Sequence, residues 1–310
     1  LSLELSNGAG ARRERPRRGG RVAPKFMAKN GNPSCDYNLA GIPVRGHSVG
    51  GFETWIHLPA MGVSFDIGRA SDASLGCDTI LFTHSHIDHL GGIATHAAAR
   101  ALRGMRPPTY LLPPHTIPHV EKLLDAWRAL DGGELPCNLV PLGLGSEYEI
   151  KNRYFARPFP ALHRGAAQGY VISEFRDKLR EEYCGLPGLE IKKKRDAGEA
   201  IYNRAETPLV AFTGDSRIDV VDREESLRKA RLLILEVTFL DERVSVESAR
   251  EKGHVHLDEV IERADLFENE AILMTHFSSR YNAARILEIL DKRLPESLRG
   301  RVTPFLNHFR

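Results

Sequence analysis

The sequence predicts an α/β sandwich. Two observations point to it. After about residue 38, short apolar runs alternate with stretches of helical length, and one apolar run after another ends in a metal-binding type of side chain. Composition bounds the class further. Of 310 residues, 42% are hydrophobic and 27% charged, which supports a core for one large domain or two small ones. No run of about 18 apolar residues exists, so no membrane-spanning helix and no membrane partner is expected. Cys35, Cys77, Cys137 and Cys184 are too scattered for a disulfide framework or a zinc ribbon. They read as reduced thiols, which places the chain in the cytoplasm.

The elements follow in order. Residues 1–37 are Arg- and Gly-rich without apolar periodicity, and read as a basic, disordered tail. Eight basic residues against Glu4 and Glu14 give residues 1–30 a charge of +6, so the rest sums to −4 and the whole to +2. Whole-chain charge is therefore no argument for nucleic-acid binding; an anionic substrate must meet a local basic patch. Residues 38–310 read as the folded domain. MGVSFDIG (61–68) and DTILFTH (78–84) are buried strands, 91–105 a helix, PTYLLP (108–113) a strand, 116–130 a helix and CNLVPL (137–142) a strand. LVAFTGD (209–215), RLLILEV (231–237) and AILMTHF (271–277) are three more strands, the last flanked by helices over 256–267 and 281–294. Asp66, His84, Asp215, Glu236 and His276 stand at or just after strand ends, where α/β folds build their sites.

Residues 174–206 differ. They are polar, mostly helical by propensity, broken by GLPG, and carry Lys192, Lys193, Lys194 and Arg195. They read as an inserted arm: either a solvated surface feature or a contact for an anionic partner.

THSHIDHLGG (83–92) packs His84, His86, Asp88 and His89 into six residues. Imidazole nitrogen and carboxylate oxygen together suit Zn²⁺ and tolerate Mn²⁺ or Fe. In extended backbone, residues two apart point the same way, so His84 and His86 can share one ion. Asp88 and His89, beyond a turn, can face a second. His163, Asp215 and His276 offer further ligands, and a carboxylate such as Asp215 can bridge two cations. His47, His57, His96, His115, His119 and His308 read as core or surface residues, and His256 either caps the next helix or supports His254.

HxHxDH, a distant His, then GD and a late His resemble the metallo-β-lactamase fold, an αββα sandwich. FTHSHIDHLGG, HRGAAQGYV, FTGDSR, LEVTF, GHVHLDE and THFSSRY together resemble tRNase Z, the endonuclease that trims the 3′ trailer of precursor tRNA, in its short, plant-type branch. The resemblance runs from about 40 to 303. It implies two zinc ions per chain, one held by His84, His86 and His163, the other by Asp88, His89 and His276, with Asp215 between them. It implies that Asp66 orients the metal loop without ligating, and that Asp88, Glu236 and His254 form the catalytic set. The family more often has a His before this Glu; here it is Leu235. His254, oriented by Glu236, would act as general acid, and Ser278, Ser279 and Arg280 would hold the phosphate. SSR also reads as the cap of the helix near Tyr281. The arm would grip the tRNA, and the enzyme would be a homodimer. The metals alone leave open another hydrolase on this fold, such as a glyoxalase II-like thioesterase or a small-molecule phosphodiesterase. The Glu236/His254 pair and the lysine-rich arm favour RNA.

Overall fold

The computed structural model describes residues 35–306 apart from residue 152. Most of the expected basic tail lies outside this range. The first strand begins at Cys35, slightly before the expected boundary at 38.

Two seven-stranded sheets face each other, each built from consecutive strands. The first contains β1 (Cys35–Leu39), β2 (Ile42–Val49), β3 (Glu53–Leu58), β4 (Val63–Phe65), β5 (Thr79–Leu81), β6 (Thr109–Leu112) and β7 (Asn138–Pro141). The second contains β8 (Tyr148–Lys151), β9 (Tyr154–Ala161), β10 (Ala167–Leu179), β11 (Tyr202–Phe212), β12 (Leu232–Glu236), β13 (Ala271–Thr275) and β14 (Val302–Pro304). Pairing is antiparallel from β1 to β4 and parallel from β4 to β7. The second sheet repeats this plan, antiparallel from β8 to β11 and parallel from β11 to β14. The two halves thus share an architecture that no sequence repeat of short period announces.

Side-chain alternation along the strands sorts the core into layers. Phe65 and Leu81 meet Tyr170, Phe212, Leu232, Ile234 and Leu273 between the sheets. Ile80, Phe82 and Tyr110 point outward onto the helices Ile93–Leu102 and Ile117–Asp131. Leu233, Leu235, Ile272 and Met274 do the same on the other side, against Val260, Ile286 and Leu290. Strands buried on both faces explain why these runs read as continuously apolar. The result is the expected αββα sandwich.

The inserted arm departs from its expected helicity. Ser173–Leu179 and Tyr202–Pro208 extend β10 and β11 as an antiparallel ribbon beyond a bulge at Ile172/Ser173, and only Gly188–Asp196 is α-helical. The ribbon is held by contacts that local propensity does not register. The Arg204 guanidinium lies 3.6 Å from the centre of the Phe175 ring and 4.6 Å from that of Phe155, and Ser173 Oγ donates to Glu206 at 2.7 Å. At ~3.3 Å per residue, β10 from Tyr170 to Leu179 spans about 30 Å.

Candidate metal centre and active site

The loops that follow the parallel strands carry the site. Asp66 leaves β4 and His276 leaves β13, both in left-handed backbone, with φ of +52° and +61°. Side chains with a Cβ rarely adopt this conformation outside functional or strained positions. The Asp66 carboxylate is fully buried. Its Oδ1 accepts from Thr83 N, and its Oδ2 accepts from Thr83 Oγ1 and His89 Nδ1, each at 2.8 Å. The same Thr83 hydroxyl lies 2.9 Å from His84 Nδ1. Asp66 therefore orients His89 directly and His84 through a threonine.

A second carboxylate–threonine–histidine chain stands on the other half. Glu236 Oε2 accepts from Thr238 N and Oγ1, and that hydroxyl lies 2.9 Å from His276 Nδ1. Glu236 Oε1 lies 3.0 Å from His254 Nδ1 and accepts from the Val255 and Ser216 amides. His163 Nδ1 donates to the Gly253 carbonyl at 2.8 Å. In each of these four ligand-type histidines (His84, His89, His163 and His276) one ring nitrogen is engaged, which fixes the ring and leaves Nε2 to face inward.

What those nitrogens face is one another and Asp215. Asp215 Oδ2 is 3.8 Å from His84 Nε2 and 4.0 Å from His163 Nε2, and its Oδ1 is 3.4 Å from His89 Nε2 and 3.3 Å from His276 Nε2. Asp88 Oδ2 lies 3.7 Å from both His89 and His276 Nε2, and His86 Nδ1 is 3.3 Å from His163 Nε2. The expected ligands fall into two groups, His84, His86, His163 with Asp215, and Asp88, His89 with His276, and a third grouping, Asp215, His254 and His276, overlaps both. The Nε2 atoms of His84, His89 and His276 are buried and have no hydrogen-bond partner among the described residues. Orphaned buried nitrogens are costly unless something fills the space between them. Donors ~2.0–2.2 Å from one tetrahedral ion sit about 3.3–3.6 Å apart, close to the observed spacings. The residues therefore fit divalent cations.

Electrostatics agree for His84, His163, Asp215 and Asp88, whereas His89, which burial would lower, is raised well above the ordinary imidazole value by Asp215 and Asp66. Burial, reinforced by the neighbouring His89, holds His84 well below the ordinary imidazole pKa and favours the neutral ring that a cation needs. Burial likewise lowers His163. For Asp215 burial pushes upward, but His276 and His89 outweigh it and keep the carboxyl well below its usual range. Asp88 behaves the same way: burial opposes, and His276 and His89 hold it down. Both carboxylates are thus ionised and ready for a cation.

The beta-lactamase superfamily domain profile matches residues 67–277. Over 266 residues the chain is 42% identical to tRNase Z TRZ1 of Arabidopsis thaliana, covering 85% of this chain and 95% of that one. To the chloroplastic tRNase Z TRZ2 of the same plant it is 38% identical over 274 residues, 88% and 77% of the two chains. The chain belongs to the tRNase Z family. Among solved structures, the human tRNase Z short form superposes with a TM-score of 0.54 at 18% identity, over 76% of this chain and 93% of that one. The metallo-beta-lactamase fold protein YhfI of Bacillus subtilis gives 0.60 at 15%, over 86% and 97%. At such identities these two speak to the fold alone. The fold and the His/Asp cluster of this tRNase Z family member make the cluster a divalent-metal site.

His254 stands between the two ligand groups. Its ring centre is 5.2 Å from that of His276, nearly parallel, and 4.9 Å from that of His163. Burial lowers its pKa, but the Glu236 charge and hydrogen bond outweigh burial and raise it to about 9. His256 turns away: it caps the helix Leu257–Glu262 in a reciprocal box with Glu259. Ser278 N donates to Thr238 O at 3.0 Å, which docks the Ser278–Ser279–Arg280 turn beside the site, with Ser279 and Arg280 exposed. SSR is not the helix cap. Asn282 caps the helix Ala283–Arg293, its Oδ1 accepting from Arg285 N at 2.8 Å.

The four basic arm residues share the helix Gly188–Asp196, and they are not equivalent. Lys192 and Lys193 are exposed. Lys194 is tied to Glu199 at 3.0 Å and lies over the Tyr183 ring, and Arg195 pairs with Asp196 at 3.5 Å. The arm leaves the sheet at the start of β11, whereas Asp215 follows its end. The arm therefore projects away from the candidate metals. Sequence reasoning missed Thr83, Thr238 and the Gly253 carbonyl. The threonines lie inside the words FTHSH and LEVTF, but only tertiary contact shows their role.

Proposed function

We propose that this protein is a tRNase Z that cuts precursor tRNA endonucleolytically at the 3′ trailer with two zinc ions, which Asp215 would help to hold. The observation that carries this reading is the Asp215 carboxylate, whose two oxygens each face a different pair of histidine nitrogens, next to a Glu236–His254 pair that a simple metal site does not need. His84, His86 and His163 would hold one ion, and Asp88, His89 and His276 the other. When bound, the cations supply charge neutralisation at the phosphate and make water nucleophilic near neutral pH, and Mn²⁺ suits the same donors. The chain's own residues do the rest. Glu236 accepts a hydrogen bond from His254 Nδ1 and so favours the protonated ring. His254 Nε2 then donates to the leaving 3′ oxygen. Ser278, Ser279 and Arg280 hold phosphate oxygens as that charge develops. The names of the relatives favour RNA over a thioester or a small phosphodiester.

Three further readings belong to this proposal. Lys192, Lys193, Lys194 and Arg195 contact tRNA phosphates, positioning the substrate without reading sequence. The enzyme works as a homodimer, since an arm that projects away from its own site is better placed to hold RNA for a second copy. It resides in the cytoplasm, in keeping with the free thiols of Cys77, Cys137 and Cys184.

The deciding experiment incubates the purified chain with a 3′-extended precursor tRNA and maps the cut by sequencing gel. A single cut next to the discriminator base is expected. Thioester turnover without precursor cleavage would overturn the reading. Metal analysis and light scattering of the same sample test two zinc ions per chain and the dimer, and imaging of a tagged chain in cells tests its location.

A further inference from the structure

A surface feature beside the metal centre has no role in the mechanism above. The tight turn Val49–Gly50–Gly51–Phe52 is closed by Phe52 N donating to Val49 O at 3.0 Å, with Gly51 at φ +71°. It carries the Phe52 ring outward, 48% exposed. The Arg69 guanidinium lies over that ring, 3.7 Å from its centre, and Arg69 is itself exposed. Both residues sit on loops continuous with the site. Gly50 N donates to Phe277 O at 3.0 Å, and Gly50 bridges to Ser278, so the Phe52 turn lies along the loop from His276 to Arg280. Ile67 N and Gly68 N both donate to His89 O at 3.0 Å, so the Arg69 loop rests on a metal ligand. Glu53 fastens the loops to each other: its Oε1 accepts from Arg69 N at 3.1 Å, and its side chain fills the space a Cβ on Gly68 would need.

We propose that Phe52 and Arg69 form a stacking platform for an unpaired nucleobase that flanks the scissile phosphate. The inference rests on the RNA reading above and adds a substrate contact to it. A phosphate held by the Ser278–Arg280 turn has its neighbouring nucleotide next to the Phe52 turn, because the two turns are bridged. An aromatic face and a guanidinium plane are the two surfaces on which single-stranded bases stack. Such stacking tolerates any base, since every base has a π face, and so accepts trailers of differing sequence.

The test is a coupling measurement. kcat/KM is determined for a 3′-extended precursor tRNA and for versions carrying one abasic nucleotide at each position flanking the cut, with wild type, Phe52→Leu, Phe52→Tyr and Arg69→Ala. In wild type, one abasic position should lower kcat/KM by about 5- to 150-fold, the range of base–aromatic stacking. Phe52→Leu should lose a similar factor on the intact precursor and lose nothing more at that position, while Phe52→Tyr stays near wild type. Arg69→Ala should show the same coupling with a smaller loss. Both side chains are exposed, so metal content and melting temperature should be unchanged and a folding defect is detectable. Phe52→Leu within twofold of wild type, or losses that multiply in full at every position, would overturn the platform alone. A wild-type chain that cuts no precursor would overturn the function reading and the platform with it.

Discussion

Glu236 Oε1 lies 3.0 Å from His254 Nδ1, while its second oxygen accepts from the Thr238 hydroxyl that orients His276. One buried carboxylate thus serves the proposed proton donor with one oxygen and a candidate metal ligand with the other. The two effects separate in their pH dependence. His254 must be protonated to donate, so activity is lost as pH rises through its pKa, which burial lowers but the Glu236 charge and hydrogen bond raise to about 9. Glu236→Gln removes the charge and leaves burial, which lowers the pKa. The alkaline limb of the kcat profile should therefore move to lower pH. Bound cations lower the value in both forms, so the difference carries the prediction. kcat at the optimum should fall by roughly 10- to 100-fold through the loosened histidines. An unmoved limb would remove His254 from the acid role.

Asp215 and Thr83 should grade the metal site. Asp215→Asn removes the charge that faces both histidine pairs, and should lower bound metal per chain after gel filtration and reduce cleavage by about 10³-fold or more. Thr83→Val keeps the volume but breaks the link from Asp66 to His84. It should weaken metal affinity by about 10- to 100-fold, the usual effect of losing a ligand's supporting partner. Titration with a chelating competitor reads both. Equal affinities in Thr83→Val and wild type would mean that the hydroxyl does not orient the ring.

The candidate metal set was legible in the sequence because His84, His86, Asp88 and His89 crowd one loop, and because Asp215 and His276 end apolar runs that fold as parallel strands. Those runs are buried on both faces, which makes them conspicuous. The antiparallel strands β1–β3 and β8–β10 carry fewer signals. β2 contains Pro43 and Gly46, and β10 runs on into polar residues whose partner, β11, begins more than twenty residues later. A helical propensity over 174–179 yields there to pairing with distant residues. Thr83 and Thr238 were invisible as orienting groups because a hydroxyl's partner is set by tertiary contact, and nothing local distinguishes them from other strand-end threonines.

The arm helix allows a finer prediction than its charge count. Lys192 and Lys193 are exposed, while Lys194 is held by Glu199. Lys192→Ala with Lys193→Ala should weaken precursor binding and reduce the slope of log affinity against log salt by about 1 for each phosphate left without its lysine. Lys194→Ala should do less to the slope. Hydrolysis of a small phosphodiester should be unchanged in both variants, since the arm projects away from the candidate metal site. Parallel losses on both substrates would show that the arm acts through the fold and does not hold RNA.

Gly50 tests how tightly the second ligand group is packed. A Cβ placed there would stand 2.8 Å from the His276 carbonyl oxygen and 3.2 Å from its ring, distances that force His276 to move. Backbone cannot swing aside as a flexible side chain can, and such overpacking typically costs about 1–3 kcal/mol. Because His276 already sits in left-handed backbone, the displacement falls on a residue with little freedom to absorb it. Gly50→Ala should therefore lower metal content and cleavage together. Gly51→Ala is the control: its Cβ would meet nothing within 4 Å, but φ of +71° is unfavourable for alanine. That variant should lose roughly 1 kcal/mol of stability while keeping its metal. If both variants melt earlier and both keep full metal content, the contact between Gly50 and His276 does not govern the site.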